Sequence, residues 1–209
     1  MFFSKTKPNC KFGDLATGYS EIDKHLPLRK GDLVTVQSMT NHGKTTFMLQ
    51  LAYQFLSVEE NLGMDPMCLF VTYESGPEEV KERLLEIVGF KTGENDQEGK
   101  VDEKIGYLTR LLRDGRIRLV EKIELEELEG LVEKIDEECP GRTKILFLDH
   151  FQIIKNRIES TTRERNMCMA IKLRNLAQKK ISSFLLLPRS TKKGRLGEGD
   201  NYTPPQQLY

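Results

Sequence analysis

Apolar positions along the chain fall into two kinds of run. Short dense blocks at Asp32–Gln37, Met67–Thr72, Arg116–Val120, Lys144–Leu148 and Ile181–Leu187 carry β-branched or aromatic residues and predict buried strands. Between them the apolar residues spread to helical spacing. Phe47, Leu49, Leu51, Ala52, Phe55 and Leu56 follow Lys44 in this way. Val80, Leu84, Leu85 and Val88 do so after Pro77, a residue suited to a helix's first turn. A short helix is expected around Lys104–Arg113. An acidic amphipathic helix is expected over Leu125–Glu138, stopped by Pro140-Gly141. A long one is expected over Thr161–Lys180, with Met169, Leu173, Leu176 and Ala177 on its apolar side.

The polar, glycine-containing stretch 91–103 reads as a surface loop, and Ser20 as the cap of a short helix. Strand and helix alternate from end to end, with no internal repeat. The fold class is therefore α/β, a mostly parallel β-sheet with helices on both faces. The expected organisation is a tail or linker remnant over 1–14, one core over 15–190, and a basic, poorly ordered tail over 191–209. A length of 209 residues suffices for one large domain with a proper core.

The junction of the first strand and its helix carries the chemistry. Ser38-Met39-Thr40-Asn41-His42-Gly43-Lys44-Thr45 matches the phosphate-loop pattern G-x-x-x-x-G-K-[ST] except at its first position, where serine stands for glycine. A strand turning sharply into a helix aims backbone N–H groups and the positive end of the helix dipole into a small concavity that suits a polyphosphate. Gly43 lets the backbone approach, Lys44 reaches the β- and γ-phosphates, and the Thr45 hydroxyl sits on Mg²⁺. Thr46 completes the loop's run into the helix. The bland alternative is an ordinary strand–turn–helix in which Gly43 only makes the turn.

Two acidic residues end apolar strands. Asp149 follows Ile145-Leu146-Phe147-Leu148, and a carboxylate at the C-terminal edge of a parallel strand faces the ligand crevice. Beside a phosphate loop it is better read as metal support through water than as a turn or capping aspartate. Glu74 ends the block before Ser75-Gly76-Pro77. Spacing alone leaves it either the base for an attacking water or a first-turn carboxylate favoured by the next helix's dipole. His42 reads as solvent-facing and His150 as a locally bonded residue.

Charge is plentiful but balanced, with 32 basic and 32 acidic residues, so net charge names no partner. Its placement is more informative. Twelve basic residues against two acidic ones lie between Lys155 and Arg195, including Arg157, Arg163, Arg165, Lys192 and Lys193. Such density is a footprint for phosphates, or else a solvated helix face followed by a basic tail. Aromatic residues are missing from Lys155–Arg165 and Thr191–Arg195, which favours backbone contacts with weak sequence preference. Four scattered cysteines without C-x-x-C spacing argue against a zinc site or disulfide framework and fit a reducing cytosol. No apolar run approaches the ~18 residues of a membrane helix, and the N-terminus lacks the apolar core of a secretory signal. A soluble cytoplasmic protein without membrane partners is expected.

The order Thr17-Gly18-Tyr19-Ser20-Glu21-Ile22-Asp23, Gly31-Asp32-Leu33, Gly43-Lys44-Thr45-Thr46, Tyr73-Glu74, Leu148-Asp149-His150-Phe151-Gln152 and Leu173-Arg174-Asn175-Leu176-Ala177 resembles the C-terminal ATPase domain of DnaB-type replicative helicases. That family is a RecA-like P-loop NTPase, and its phosphate loop too often lacks the first glycine. The resemblance implies ATP and Mg²⁺ at Lys44 and Thr45, Asp149 as the metal-supporting aspartate, and Glu74 as catalytic base. It implies single-stranded DNA at the loops Lys155–Arg165 and Thr191–Arg195, assembly as a homo-oligomeric, hexameric ring, and primase or a helicase loader as further partners. The polar sensor expected after the last core strand is replaced by Pro188, and the arginine finger falls beyond Tyr209. Slow hydrolysis and poor unwinding by these residues alone are the expectation. Two other readings remain: a RecA- or circadian-clock-type ATPase forming filaments or regulatory rings, and a degenerate module binding ATP and DNA without turnover.

Overall fold

Alternate residues of the central strands belong to opposite apolar layers, which is what burial on two faces requires. The computed structural model describes residues 14–26, 28–36, 42–90, 98–149, 162–180 and 183–187. Among these, the strands are β1 (Asp32–Thr35), β2 (Pro66–Thr72), β3 (Ile117–Glu121), β4 (Thr143–Asp149) and β5 (Ser183–Leu187). All pair in parallel in the order β1-β5-β4-β2-β3. The helices are α1 (Ser20–His25), α2 (Lys44–Ser57), α3 (Glu59–Leu62), α4 (Pro77–Phe90), α5 (Glu98–Arg113), α6 (Leu125–Glu138) and α7 (Thr162–Lys180).

Cys68, Phe70, Ile145 and Phe147 join Met48, Phe55, Leu84 and Leu108 of α2, α4 and α5 in one layer. Met67, Leu69, Val71, Leu146 and Leu148 join Leu128, Val132, Met169 and Leu173 of α6 and α7 in the other. The direction of travel explains the division. Crossings from β1 to β2 and from β2 to β3 run one way along the sheet; those from β3 to β4 and from β4 to β5 run back. A right-handed crossover places helices on opposite faces for opposite directions. The reversal leaves β2 and β4 adjacent, with their following helices on different faces. The crevice outside their carboxyl ends is the switch point at which such sheets take ligands.

At the other end of these strands, Asp65 joins three strand starts. Its carboxylate pairs with Arg116 and lies 2.8 Å from Nε of Arg142, while Arg116 also donates to the Pro66 carbonyl at 2.8 Å. Packing holds the sheet's middle: the Phe70 and Phe147 rings stack with centroids 5.7 Å apart, and Phe55 lies 6.2 Å from Phe147.

Three expectations need correction. Residues 98–103 are helical rather than loop, because they form the polar first turns of α5, whose burial begins in earnest at Leu108. Ser20 does not cap α1. It is the first helical residue, and the Thr17 hydroxyl accepts the N–H of Tyr19 at 3.1 Å. The four-residue helix α3 is an addition, being too short for a periodic signal. The remaining elements agree with the sequence reading to within one or two residues.

Candidate functional site

α2 begins directly after Gly43, whose backbone is left-handed at φ +72°, and Phe47 N–H closes the first turn onto the Gly43 carbonyl at 2.8 Å. Among the described residues, a Cβ at Gly43 would meet no atom within 4 Å. Glycine is required here for its conformation, as well as for the close approach that the sequence reading gave it. Among the described residues no side chain caps α2, and its first turn holds no acidic residue. α6, by contrast, is closed by a reciprocal capping box between Glu124 and Glu127. The start of α2 thus keeps the electropositive character that favours an anion.

Thr45, one residue into that turn, donates its hydroxyl to Oδ2 of Asp149 at 3.0 Å. Asp149 is the last residue of β4 and is buried, while Thr45 and Lys44 are half-buried. Two hard oxygen donors from residues 104 apart in sequence therefore meet at the switch point. Glu74 lies on the bend that follows β2 and is exposed. It sits two residues beyond Thr72, which is the register partner of Asp149. His42 is exposed at the lip of the loop, as expected.

The donor chemistry fits a hard divalent ion such as magnesium. No group of three His, Cys, Asp or Glu able to hold a metal occurs among the described residues, so phosphate and water oxygens would have to complete its shell. Ser38, Met39, Thr40 and Asn41 lie outside the described residues, as do His150, Lys155, Arg157, Pro188, Lys192, Lys193 and Arg195. Arg163 and Arg165 fall in the first turn of α7 by backbone alone. No helix of the described residues is long and apolar enough to cross a membrane.

Sequence reasoning missed the residues that hold this corner together. The buried Asn61 side chain accepts the Ala16 N–H at 2.9 Å and donates to the Ala16 and Phe55 carbonyls at 2.8 and 3.1 Å. The buried Asp23 accepts the Thr17 N–H at 2.7 Å. Gly18, at φ +76°, is wedged so closely on α2 that a Cβ would stand 2.9 Å from Gln54 and Val58 side-chain atoms. This strap brings Tyr19 against Phe47, ring centroids 6.1 Å apart, one turn beyond Lys44. In the sequence, Thr17 to Asp23 carries part of the resemblance without a role; here it braces the helix that starts at the phosphate loop. A polar Asn61 three residues past Val58 gives no signal in sequence.

The family model of the DnaB-like helicase C-terminal domain matches residues 14–187. A solved ATPase domain is similar over 87% of this chain and 66% of its own, with a TM-score of 0.68 at 16% identity. A structure of a DnaB-like replicative helicase and its interactions with primase is similar over 83% of this chain and 43% of its own, with a TM-score of 0.65 at 15% identity. At such identity these likenesses speak for the fold, and the chain spans less than two thirds of either neighbour's length. No curated protein matches.

Proposed function

The chain belongs to the DnaB-like helicase C-terminal domain family, and from that premise we propose that it binds and hydrolyses ATP as the RecA-like motor domain of a replicative DNA helicase. The observation that carries the reading is the 3.0 Å hydrogen bond from Thr45 to the buried Asp149 at the start of an uncapped helix. Lys44 and the first-turn amides of α2 bind the phosphates. Thr45 and Asp149 would hold a magnesium ion, which would supply positive charge to offset that of the triphosphate. Glu74 takes a proton from the water whose oxygen bonds the γ-phosphorus. The bond from that phosphorus to the bridging oxygen breaks, and ADP leaves with the electron pair.

Single-stranded DNA is the proposed track, gripped by Lys155, Arg157, Arg163, Arg165, Lys192, Lys193 and Arg195 through its phosphates. A ring of copies is the proposed assembly, with primase or a loader as further partners, in the cytoplasm. The family's character and the basic run support this part of the reading. Nucleotide titration with and without magnesium, for the wild type and Lys44→Ala, tests the site. Turnover with and without single-stranded DNA, for the wild type and Glu74→Gln, tests the motor. Saturable, magnesium-assisted affinity lost in Lys44→Ala, with turnover lost in Glu74→Gln, is expected. Absence of that affinity in the wild type refutes the reading. Affinity without turnover selects a non-hydrolysing ATP- and DNA-binding module instead.

A further inference from the structure

Glu74 is exposed and lies on a bend, yet the residues on both sides of it are tied down. Behind it, the Thr72 carbonyl accepts the Lys122 N–H at 3.0 Å. The Tyr73 hydroxyl donates to the Ile123 carbonyl at 2.8 Å, 50 residues away in sequence. Ahead of it, the Thr72 hydroxyl donates to the Ser75 carbonyl at 2.8 Å and accepts the Ser75 N–H at 3.3 Å, closing a turn around Tyr73 and Glu74. Thr72 is fully buried and Tyr73 nearly so.

The partner loop is itself fixed. Glu124 and Glu127 close the start of α6 immediately after Ile123, and Lys122 holds a left-handed backbone at φ +27° to turn out of β3. Such a backbone is disfavoured for a non-glycine residue, and strain of this kind collects beside working sites. Burial raises the Tyr73 phenol above its ordinary value, with the Ile123 hydrogen bond opposing that in part, so the hydroxyl stays a donor at any working pH.

We propose that Thr72 and Tyr73 are positioning residues for Glu74, which fix the bend after β2 so that the carboxylate meets the attacking water in register with Asp149. The proposal rests on the reading of Glu74 as the base. A base must stand within hydrogen-bond reach of the proton it takes, and a misplacement of about 1 Å can cost on the order of a hundredfold. Tyr73 shares the apolar layer of Leu125 and Leu128, so the bland alternative is that its ring merely fills space. Tyr73→Phe separates the two, because it keeps the ring and removes the hydroxyl.

The test uses the full chain as wild type, Tyr73→Phe, Thr72→Val and Thr72→Ser, reading magnesium–ATP affinity, kcat and cooperative melting. Affinity within about twofold of wild type is expected, with kcat lower by roughly tenfold in Tyr73→Phe and Thr72→Val and restored in Thr72→Ser. Wild-type kcat in both Tyr73→Phe and Thr72→Val overturns the positioning role and leaves the reading of Glu74 intact. So does a Thr72→Ser variant as slow as Thr72→Val. Wild type that binds nucleotide without turnover, or that turns over as fast after Glu74→Gln, overturns the role of Glu74 and the positioning with it. If Tyr73→Phe does not melt cooperatively, the Thr72→Val and Thr72→Ser pair decides.

Discussion

Thr45 and Asp149, 104 residues apart, are joined by a 3.0 Å hydrogen bond from hydroxyl to carboxylate. Asp149 is almost wholly removed from solvent, so this donor matters to the ligand-free protein as well as to any bound ion. Replacing Thr45 by Val keeps the branched shape and deletes the donor. A hydrogen bond to a charged group contributes about 1.5–3 kcal/mol. Thr45→Val is expected to lower stability by about that amount in denaturant unfolding, and a double-mutant cycle with Asp149→Asn should recover much of it.

Gly43 offers a second, sharper test of the loop. Its φ of +72° suits glycine, and a Cβ would touch none of the described residues. Gly43→Ala should therefore cost about 1–2 kcal/mol from backbone conformation alone, visible as a lower Tm without nucleotide. A stability equal to wild type would mean that the turn relaxes elsewhere.

Asn61 is the strongest structural prediction. Its amide serves three backbone groups, and Asn61→Ala leaves all three buried and unmet. Each such group costs about 1–3 kcal/mol, so a total loss of roughly 3–5 kcal/mol is expected after local relaxation. Hydrogen exchange should show the loss first at Ala16, because its N–H is bonded to the Asn61 carbonyl oxygen.

The three cysteines among the described residues should differ in reactivity in a fixed order. Burial pushes the Cys68 thiol far above its ordinary range, leaving almost no thiolate at neutral pH, while Cys168 is exposed and Cys139 half-buried. Peptide mapping after brief alkylation of the native protein should find Cys168 modified and Cys68 untouched. Cys68 should react only once the chain is unfolded.

A surface pair gives a pH prediction with a definite sign. The Arg118 hydrogen bond to Glu138, 2.7 Å long, holds the Glu138 carboxyl below its ordinary value, with slight desolvation opposing it and the Arg118 and Lys134 charges adding to it. A carboxyl depressed in the folded state stabilises above its unfolded pKa and loses that contribution as pH falls through the folded value. Arg118→Ala should move the Glu138 titration upward in an NMR pH series, with little change in stability at neutral pH because the pair is exposed.

Much of the fold was legible because its strands are two-sided and dense. Ile145 to Leu148 and Cys68 to Val71 bury every residue, so no polar position blurred them. Leu125–Glu138 was readable to the residue because acidic caps and Pro140-Gly141 bound it. The first turns of α5 were not, since their polar residues show no apolar period. At the site, Gly43, Lys44 and Thr45 declare themselves by spacing, and Asp149 by its place after an apolar run. Asn61, Asp23, Thr72 and Tyr73 act through contacts with backbone groups. A hydrogen bond to a carbonyl 50 residues away leaves no trace in composition, though a threonine three before a serine at a strand's end is a faint turn signal.

The pairing of Thr72 with Asp149 has a bearing on how this family can vary. Two neighbouring strands that keep step set the distance between their tips whatever chain is strung between them. The stretch of chain from one tip to the other can lengthen, shorten or be exchanged, and Asp149 and the bend that carries Glu74 will not drift apart. A one-residue slip of either strand would turn its side chains to the opposite face and ruin the corner at once.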